Sequence, residues 1–590
     1  MKIVFIGLLL VEMLFANTKV NILGYPNQNI EYQENIQRYF KTKLALDIDV
    51  HKSILRPYYK KAKNHLIWIK EGELSSLGIQ LIQTINDDLM VNESLQKSFN
   101  LTHIDMLIKT KEQYQELSVL DTIRLDLLLT YAYSKYISYL SFGDMNWGKF
   151  QEQLKELFDK HEVIANWRRT KVNLKKISLL EKSIEQQDIL ISLNEAHISY
   201  KHANKMRETI HAYQKISDEG GYVKIPSIKV LKPNQKNKIV PLLRQRLLQS
   251  KDLSQEDFDI AINEEPSVLS DPKTPTQEFA LAEDKRDIYD EVLVTAVKSF
   301  QTNHGLQVDG VVGRDTIKHF NITVKQKITQ IKINLERMRW LPRDLGDKYL
   351  LVNIPDYHLR YVEDKKEVLK LPVVVGTRKH PTPVFSHRLT TVVLNPYWRV
   401  PERIVQREIV PKLLDDPEYL VARGMNIHEN WDHKSPTFNP LAIDWTQYVQ
   451  TDEQKEQKVY PEVPYKFIQI PSKKNPLGKM KFMFHNRYSV YIHDTSSKHY
   501  FKRRQRAFSH GCIRLQTPHK LLKTIANQDK RLKYKEAVDI LKDIEKTEVT
   551  LSNKIPVHIV YLTAWMDDEG VMQFRDDIYG YDRTQRKLLY

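Results

Sequence analysis

The feature that most constrains the fold of this chain is a change in its hydrophobic pattern along its length. Between residues 65 and 215 glycine and proline are sparse, and apolar residues such as Leu125, Leu128 and Leu129 recur at helical spacing. After residue 346 the pattern changes to short runs of β-branched and aromatic residues, bounded by turn residues. The sequence therefore predicts a multidomain α+β protein, with a helical part first and a mainly-β part last.

The longest helical run is expected to begin at Asp121 and to end at Phe142, where Gly143 follows. No arrangement of catalytic side chains is visible between residues 17 and 222. A helical scaffold that packs against the rest of the chain is therefore the expected role of this region, in preference to an independent binding domain.

The mainly-β part is expected to contain several strands, which lie at residues 349–354, 373–375, 390–394, 488–492 and 557–562. Residues 400 to about 465 break this pattern, because proline, tryptophan and charged residues dominate there. A helix is expected from Pro401 to Leu414. This segment is therefore interpreted as an insertion between strands.

Cys512 is the only cysteine among 590 residues. A single thiol cannot close an intramolecular disulfide, so the usual structural reason for cysteine in an exported protein is absent. It lies in the heptapeptide Ser-His-Gly-Cys-Ile-Arg-Leu, residues 509–515. Two hypotheses follow: Cys512 is a catalytic nucleophile, or it is a small buried apolar side chain.

A histidine upstream of this heptapeptide favours the nucleophile. Residues 489–492 alternate like a strand, so His493 is expected at a strand end, and an imidazole there can approach the thiol and remove its proton. Gly511 would let the backbone approach a substrate carbonyl, and the amides of Gly511 and Cys512 would then stabilise an oxyanion. Tyr491 lies two residues before His493 on the same strand face. Either its hydroxyl reaches the pocket or its ring is part of the core.

These residues resemble the signature of a known family. His-Asp-Thr at 493–495, followed by the heptapeptide at 509–515, is similar to the signature of the YkuD-type L,D-transpeptidase catalytic domain, and the long chain resembles the large periplasmic YcbB-like subfamily. Further similar blocks span most of residues 330 to 583. They are Glu-Arg-Met-Arg-Trp-Leu-Pro at 336–342, Leu-Val-Asn-Ile-Pro at 351–355, Val-Val-Val-Gly at 373–376, Thr-Pro at 382–383, Asn-Pro-Tyr-Trp-Arg-Val-Pro at 395–401 and Phe-Arg-Asp-Asp-Ile-Tyr at 574–579.

The resemblance implies a role for each residue of the signature. Cys512 is the implied nucleophile, His493 the general base, the Asp494 carbonyl the group that orients the imidazole, and the Gly511 amide part of the oxyanion hole. The implied substrate-side residues are Tyr491, His510, Arg514, Ser509 and Trp398. Two alternatives remain open: His510 shapes the pocket or is itself the base, and Arg514 binds a substrate carboxylate or pairs with a local acid.

The family chemistry is acyl transfer on peptidoglycan stem peptides, without a metal or organic cofactor. The thiolate attacks the carbonyl between the third and fourth residues of a tetrapeptide stem, D-Ala leaves, and a thioester forms. An amine of a neighbouring stem then gives a 3→3 cross-link, with meso-diaminopimelate in both donor and acceptor. The resemblance also implies acylation by carbapenems, a capping role for the 400–465 insertion, and cell-wall synthases and a D,D-carboxypeptidase as partners.

A second resemblance lies between the two main parts. An amphipathic helix around residues 293–301, a glycine turn and a short helix from about Asp315 are similar to a three-helix peptidoglycan-binding module, whose first helix is expected at Ile239–Leu248. The acidic, proline-bearing insert at 263–285 is expected to be a mobile surface loop. Wall binding and a spacer role are both open.

The first residues predict export. One basic residue, an apolar run from Ile3 to Val11 and then Leu14-Phe15-Ala16 are typical of a secretory signal, and imply a periplasmic protein. An uncleaved anchor is the alternative, although the run is shorter than the roughly 20 residues that cross a bilayer. The expected domains are the signal peptide 1–16, the helical scaffold 17–222, the peptidoglycan-binding-like module 223–325, the linker helix 326–345, the catalytic domain 346–583 and a tail 584–590.

The net charge of +16 does not indicate nucleic acid, because lysines and arginines are scattered and no nucleic-acid module is visible. A basic surface suits an anionic wall polymer or is a solvated face. Three alternatives to the transpeptidase remain: an L,D-carboxypeptidase that uses water as acceptor, a non-catalytic wall-binding protein, and a zinc hydrolase. The histidines for the last lack His-Glu-x-x-His spacing; they are His485, His493, His499, His510 and His519.

Overall fold

The computed structural model describes residues 23, 29–161, 165–170, 173–197, 200, 202–263, 285–457 and 459–589. The expected signal peptide 1–16 and residues 264–284 of the expected mobile insert lie outside the described residues. None of the described helices combines the length and apolar character that crossing a membrane requires.

The first part of the chain is helical, as the sequence predicts. Most of its helices pack around a common core that includes Tyr59, Trp68 and Tyr133, beside a hairpin of Ile69–Lys70 and Glu73–Leu74, whereas Trp147–His161 and Ala203–Asp218 contribute to other cores. The helices are Ile30–Phe40, Lys52–Lys61, Ser76–Asp87, Glu93–Ser98, Leu101–Tyr114, Val119–Phe142, Trp147–His161, Lys176–Gln186, Ile189–Ala196 and Ala203–Asp218.

The longest of these helices begins two residues earlier than Asp121. It spans Val119–Phe142, because the Ser118 side chain accepts a hydrogen bond from the Asp121 N–H and so caps the first turn. It ends at Phe142 as predicted. Gly143 follows with φ +78°, and a Cβ there would lie 1.7 Å from a Glu336 carboxylate oxygen, so both the conformation and the space require glycine.

The middle module contains the helices that the sequence predicts. They are Val240–Gln249, Glu291–Asn303 and Arg314–Phe320, and a further helix that was not predicted, Gln255–Asn263, follows the first of them. The module docks on the C-terminal part of the chain, where the His304 ring stacks on Phe574 at 5.4 Å.

The helix expected as a linker at 326–345 is Val324–Met338, and it is buried rather than exposed. The Asn334 side chain donates to Thr563 Oγ1 at 2.8 Å, and Arg337 forms an ion pair with Asp582 at 2.7 Å. This helix therefore contacts the C-terminal part of the chain through internal polar groups.

The β domain is built on one sheet of nine strands. They are β1 Lys348–Asn353, β2 His358–Glu363, β3 Lys366–Gly376, β4 Phe385–Leu394, β5 Met480–Met483, β6 Ile492–His493, β7 Ala507–Ser509, β8 Ile513–Leu515 and β9 Thr547–Val560. Their order is β7-β3-β8-β6-β5-β4-β9-β1-β2, and β3 also pairs with β2. The sheet therefore closes on itself around an apolar interior that contains Val373, Val375 and Ile559.

Four of the five predicted strands overlap β1, β3, β4 and β9, although two of them end one or two residues earlier than predicted, but the fifth, at 488–492, is wrong except at its end. Only Ile492 and His493 enter the ladder. Asn486 occupies the preceding backbone groups: its side chain accepts from the Tyr488 N–H at 3.0 Å and donates to the Val490 carbonyl at 2.7 Å. Ser489 adopts a left-handed conformation with φ +54°, which interrupts a strand.

The insertion between β4 and β5 is a small unit with its own core. Its four short strands are Trp398–Arg399, Met425–His428, Thr437–Phe438 and Lys466–Gln469. The helix expected at 401–414 is present over residues 402–415, with a π-helical turn at Val405–Ile409. Its apolar residues, among them Val410 and Phe467, pack on one another, so it forms a separate lobe beside the sheet.

The helical part and the β domain share a core. Trp167 forms a parallel bridge with Val384, through the Arg168 N–H to the Val384 carbonyl and the Val384 N–H to the Asn166 carbonyl, both at 2.9 Å. The Trp167 ring packs within 5.3–6.1 Å of four aromatic rings, those of Phe150, Trp340, Tyr561 and Tyr581.

Residues expected as a tail from 584 instead continue a helix, Tyr581–Leu589. Gln585 is fully buried, and its side-chain oxygen accepts from Arg337 Nε at 2.9 Å. Smaller elements complete this region: helices Pro518–Ala526 and Tyr534–Ile540, and strands Ala564–Met566 and Met572–Phe574.

Candidate active site

The motif residues come together on one face of two neighbouring strands. β6 and β8 are parallel, with Ile492 beside Ile513 and His493 beside Arg514. Side chains alternate along a strand, and both isoleucines are buried in the core, so Tyr491, His493, Cys512 and Arg514 share the opposite face. All four line a cavity of about 1530 Å³.

His493 is held as a neutral base. Its Nδ1 lies 2.5 Å from the carbonyl oxygen of Asp494, and because a carbonyl only accepts, Nδ1 carries the proton and Nε2 carries a lone pair. Burial, with Arg514 second, lowers the pKa of His493 to about 3. The Asp494 carboxylate faces elsewhere, since it accepts from the Lys479 N–H and from Lys498 Nζ.

Cys512 is half-buried and favours the protonated thiol at rest. Burial raises the pKa of Cys512 above its ordinary 9.0, while hydrogen bonds from Tyr491 and the positive charges of Lys481 and Arg514 act in the opposite direction. A thiol beside a neutral imidazole suits proton transfer during attack, rather than a preformed ion pair.

Ser509 organises the turn that carries Cys512. Its hydroxyl donates to the Cys512 carbonyl at 2.6 Å and accepts from the Gly511 N–H at 3.1 Å. Ser509 is buried and also lines the cavity, so its expected role in substrate binding stays a prediction. The Gly511 amide is likewise engaged within the turn rather than free for an oxyanion, and Gly511 has φ +114°, which favours glycine.

Two residues that sequence reasoning missed support this turn from below. The Thr382 hydroxyl donates to the Gly511 carbonyl at 2.8 Å and accepts from the Gly376 N–H at 2.9 Å. The Tyr579 hydroxyl donates to the Gly376 carbonyl at 2.7 Å. Both residues lie in blocks that carry the family resemblance, which was the available signal.

His510 faces the insertion instead of the thiol. Its Nε2 pairs with Glu408 Oε1 at 2.6 Å, and its ring centroid lies 4.9 Å from that of His380. Glu408 belongs to the π-helical turn of the insertion. His510 therefore connects the catalytic turn to the lobe above it, which fits pocket shaping better than the role of base.

Arg514 and Trp398 both line the cavity. Arg514 is partly buried, and its Nε has no hydrogen-bond partner in the part of the chain that the structure describes. Trp398 enters from the edge strand of the insertion. Trp431, a further aromatic of the insertion, lies instead beside Lys466 Nζ, 5.8 Å from its ring centroid.

The lining of the cavity is strongly positive. It includes nine lysines and arginines against two glutamates, Glu408 and Glu548. The basic residues are Arg399, Arg403, Arg407, Lys412, Arg423, Lys481, Arg487, Arg514 and Lys546. The helical part contributes Asn166 to the same wall. Such a lining suits a ligand that carries carboxylates.

The histidines considered for zinc are not arranged as a ligand set. Over the described ranges, no three His, Cys, Asp or Glu side chains are grouped closely enough to hold a metal ion. His493 instead uses Nδ1 for the Asp494 carbonyl, and His510 uses Nε2 for Glu408.

Comparisons with known families match three segments of the chain. Residues 347–548 match YkuD, described as "L,D-transpeptidase catalytic domain". Residues 53–209 match a "Scaffold domain", and residues 278–319 match a "Putative peptidoglycan binding domain". The three matches follow the order of the helical part, the module and the β domain.

A curated relative from Haemophilus influenzae, named "Putative L,D-transpeptidase", is 30% identical over 268 residues, which are 45% of this chain and 50% of the relative. The chain thus spans about half the length of that relative.

Solved structures with similarity include an L,D-transpeptidase from Mycobacterium smegmatis, at 11% identity over 36% of this chain and 58% of that chain, with a TM-score of 0.16. Another is the L,D-transpeptidase from Xylanimonas cellulosilytica, at 15% identity over 57% of this chain and 99% of that chain, with a TM-score of 0.17. TM-scores this low carry no structural argument, and the assignment depends on the sequence matches. Residues 347–548 are therefore similar to a YkuD L,D-transpeptidase catalytic domain, and they follow segments that are similar to a scaffold domain and a putative peptidoglycan-binding domain.

Proposed function

We propose that this protein is a peptidoglycan L,D-transpeptidase that forms 3→3 cross-links through a thioester on Cys512. The observation that carries the proposal is the shared face of β6 and β8, where a neutral, oriented His493 and the Cys512 thiol open into one large cavity. A nucleophile beside a base that is itself oriented by a third group is the recurring arrangement of covalent acyl transfer.

The first half-reaction forms the thioester. His493 Nε2 accepts the thiol proton while Sγ attacks the carbonyl between residues three and four of the donor stem. The tetrahedral intermediate collapses, the imidazolium returns the proton to the leaving amine, and D-Ala departs. The Cys512 backbone N–H is the remaining candidate of the two proposed oxyanion donors, because the Gly511 N–H is engaged with Ser509.

The second half-reaction transfers the acyl group. The acceptor amine attacks the thioester, His493 takes the proton from that nitrogen, and the proton returns to sulfur as the thiol leaves. One amide bond is broken and one is formed, so no cofactor is required. The positive lining supports stem peptides with meso-diaminopimelate as donor and acceptor, since these carry several carboxylates.

The proposal includes a periplasmic location, reached through the signal-like residues 1–16, and the wall polymer as the ligand of the module. Cell-wall synthases and a D,D-carboxypeptidase that supplies tetrapeptides are the proposed partners. Carbapenems are proposed to acylate Cys512, because a strained β-lactam carbonyl would meet the same thiol and base.

Mass spectrometry of the full chain incubated with a disaccharide-tetrapeptide tests the chemistry. We expect a tripeptide-sized adduct on wild-type Cys512, release of D-Ala and a cross-linked dimer, and none of these with Cys512→Ala. His103→Gln is a matched control, because it changes an exposed histidine of the helical part that does not line the cavity. An adduct that survives in Cys512→Ala would refute the mechanism.

An L,D-carboxypeptidase is the second candidate, because the cavity is large and Cys512 is only half-buried, so water can reach the thioester. The same incubation separates the two activities. Free disaccharide-tripeptide without dimer, at high acceptor concentration, would favour the hydrolase.

A further inference from the structure

We propose that Lys481 is an electrostatic positioning residue for Cys512, whose ammonium group stabilises the negative charge that develops on sulfur. The inference rests on the proposed function only in taking Cys512 as the nucleophile. None of the segments on which the family resemblance rests includes this lysine.

The strand register brings Lys481 into the site. On β5 it lies directly opposite His493 of β6, and His493 lies beside Arg514 of β8. Because facing residues in adjacent strands point to the same side, Lys481, His493 and Arg514 form one row on the cavity face. Tyr491 and Cys512 form the next row on this face, two residues earlier along each chain segment.

The lysine side chain bends from its own row toward the row of the thiol. Its Nζ lies 3.8 Å from the centroid of the Tyr491 ring, and Tyr491 is hydrogen-bonded to Cys512. A cation over an aromatic ring at this distance is held by the ring quadrupole. The ammonium group is thus fixed close to the sulfur instead of extending into solvent.

The charge of Lys481 is not held in an ion pair within the residues that the structure describes. Glu548 on β9 interacts with Lys481 electrostatically, but its ion pair is with Lys546. Burial lowers the pKa of Lys481, whereas the charge that Cys512 acquires is the first influence that raises it. Lysine and thiolate therefore stabilise each other.

Other titratable or charged groups also surround the thiol, and they must stay unchanged when Lys481 is replaced. His493 comes from β6 and Tyr491 from just before it, Arg514 comes from β8, and Tyr500 from the segment after β6. Glu408, Arg399, Lys546 and Glu548 lie further around the cavity. Arg514 is the second cation near the sulfur, but it also faces Glu408 and Tyr500, which share its charge.

The pH dependence of iodoacetamide alkylation tests the proposal on the full chain, with Cys512 as the only cysteine. An opposite charge within about 4–6 Å shifts a pKa by about 1–3 units, so Lys481→Met should raise the midpoint of alkylation by about one unit. At a fixed pH below the midpoint this is about a tenfold slower reaction. Lys481→Arg should restore the wild-type midpoint, because it keeps the charge.

Lys520→Met is the matched control: Lys520 is exposed on the helix Pro518–Ala526, and the variant loses one positive charge away from the cavity. Its midpoint should equal that of the wild type. Lys481→Gln replaces Lys481→Met if the apolar variant does not fold. The proposal would be overturned if the folded Lys481→Met or Lys481→Gln variant had the wild-type midpoint of alkylation. It would also be overturned if the midpoint rose in Lys481→Met and stayed equally high in Lys481→Arg.

Iodoacetamide needs no wall substrate, so the two proposals can fail separately. A wild-type midpoint in Lys481→Met would leave the transpeptidase proposal standing. A raised midpoint in a protein that never acquires a stem-peptide adduct would count against the transpeptidase and in favour of Lys481.

Discussion

Replacement of Trp167 with alanine should destabilise the β domain, although Trp167 belongs to the helical part of the chain. The side chain is 6% exposed and is surrounded by Phe150, Trp340, Tyr561 and Tyr581. The Arg337 guanidinium carbon also lies 5.3 Å from the ring centroid. Trp340, Tyr561 and Tyr581 lie after residue 320, so the indole packs against parts of the chain that are distant from it in the sequence.

The expected cost follows from the volume removed. Truncation of a buried tryptophan to alanine typically costs about 3–5 kcal/mol, through lost transfer free energy and the cavity that remains. The two main-chain hydrogen bonds that join residues 166 and 168 to Val384 do not involve the indole and should persist. We therefore expect the full loss from side-chain packing alone, which corresponds to a fall in Tm on the order of 10 °C for a domain of this size.

Thermal unfolding followed by near-ultraviolet circular dichroism measures this change. Trp431→Ala is the control, because Trp431 is 37% exposed on the insertion, and exposed substitutions usually change stability by less than about 0.5 kcal/mol. If Trp167→Ala unfolds within 2 °C of the wild type (roughly the shift for under 1 kcal/mol), the shared core does not support the β domain. The reasoning from packing would then be wrong.

Four further expectations concern the site. The pKa of His493 is about 3 in the folded chain and about 6.5 in the unfolded chain, so the unfolded chain binds more protons between these values. The free energy of unfolding should therefore fall as the pH falls from 6.5 to 3. Urea unfolding midpoints measured at pH 4 and pH 7 should differ less in His493→Gln than in the wild type. Gly511→Ala should slow acylation and destabilise the turn by about 1–3 kcal/mol, since φ is +114°; iodoacetamide kinetics and Tm measure the two effects, and an unchanged Tm would contradict the strain. Glu408→Gln removes the ion pair with His510 and should speed amide exchange of residues 402–415 by no more than about fivefold, because both side chains are partly exposed; equal exchange would mean that the pair does not hold the insertion. Dialysis against a chelator should leave muropeptide acylation intact, and a loss restored by zinc would revive the hydrolase hypothesis.

Local sequence pattern accounted for much of the fold. Helical spacing located the Val119–Phe142 helix, and runs of β-branched residues located β1, β3, β4 and β9. These patterns depend only on residues that are close in the sequence, so the rest of the fold does not change the structure that they predict. The strand expected at 488–492 failed because the side chain of Asn486, rather than a neighbouring strand, binds the backbone of Val490.

The sequence predicted those site residues that lie in recognisable motifs. The placement of Cys512 and His493 in one cavity agrees with the sequence expectation, while their catalytic roles stay proposals. Lys481 was missed because a lysine in an alternating strand is usually a solvated side chain, and only the register across β5, β6 and β8 shows where it points. The Asn166 contribution was equally hidden, since more than 200 residues separate Asn166 from Val384, whose N–H donates to the Asn166 carbonyl, and from the rest of the wall.

The buried pairing of Arg337 with Asp582 and Gln585 has a consequence for how the protein is made. During synthesis the guanidinium emerges from the ribosome roughly 250 residues ahead of the groups that neutralise and bind it. A buried cation without its partners is strongly disfavoured, by several kcal/mol. Nascent chains that stop short of residue 582 should therefore stay open around the central helix, and the reactive thiol would be assembled only after translation has passed that point.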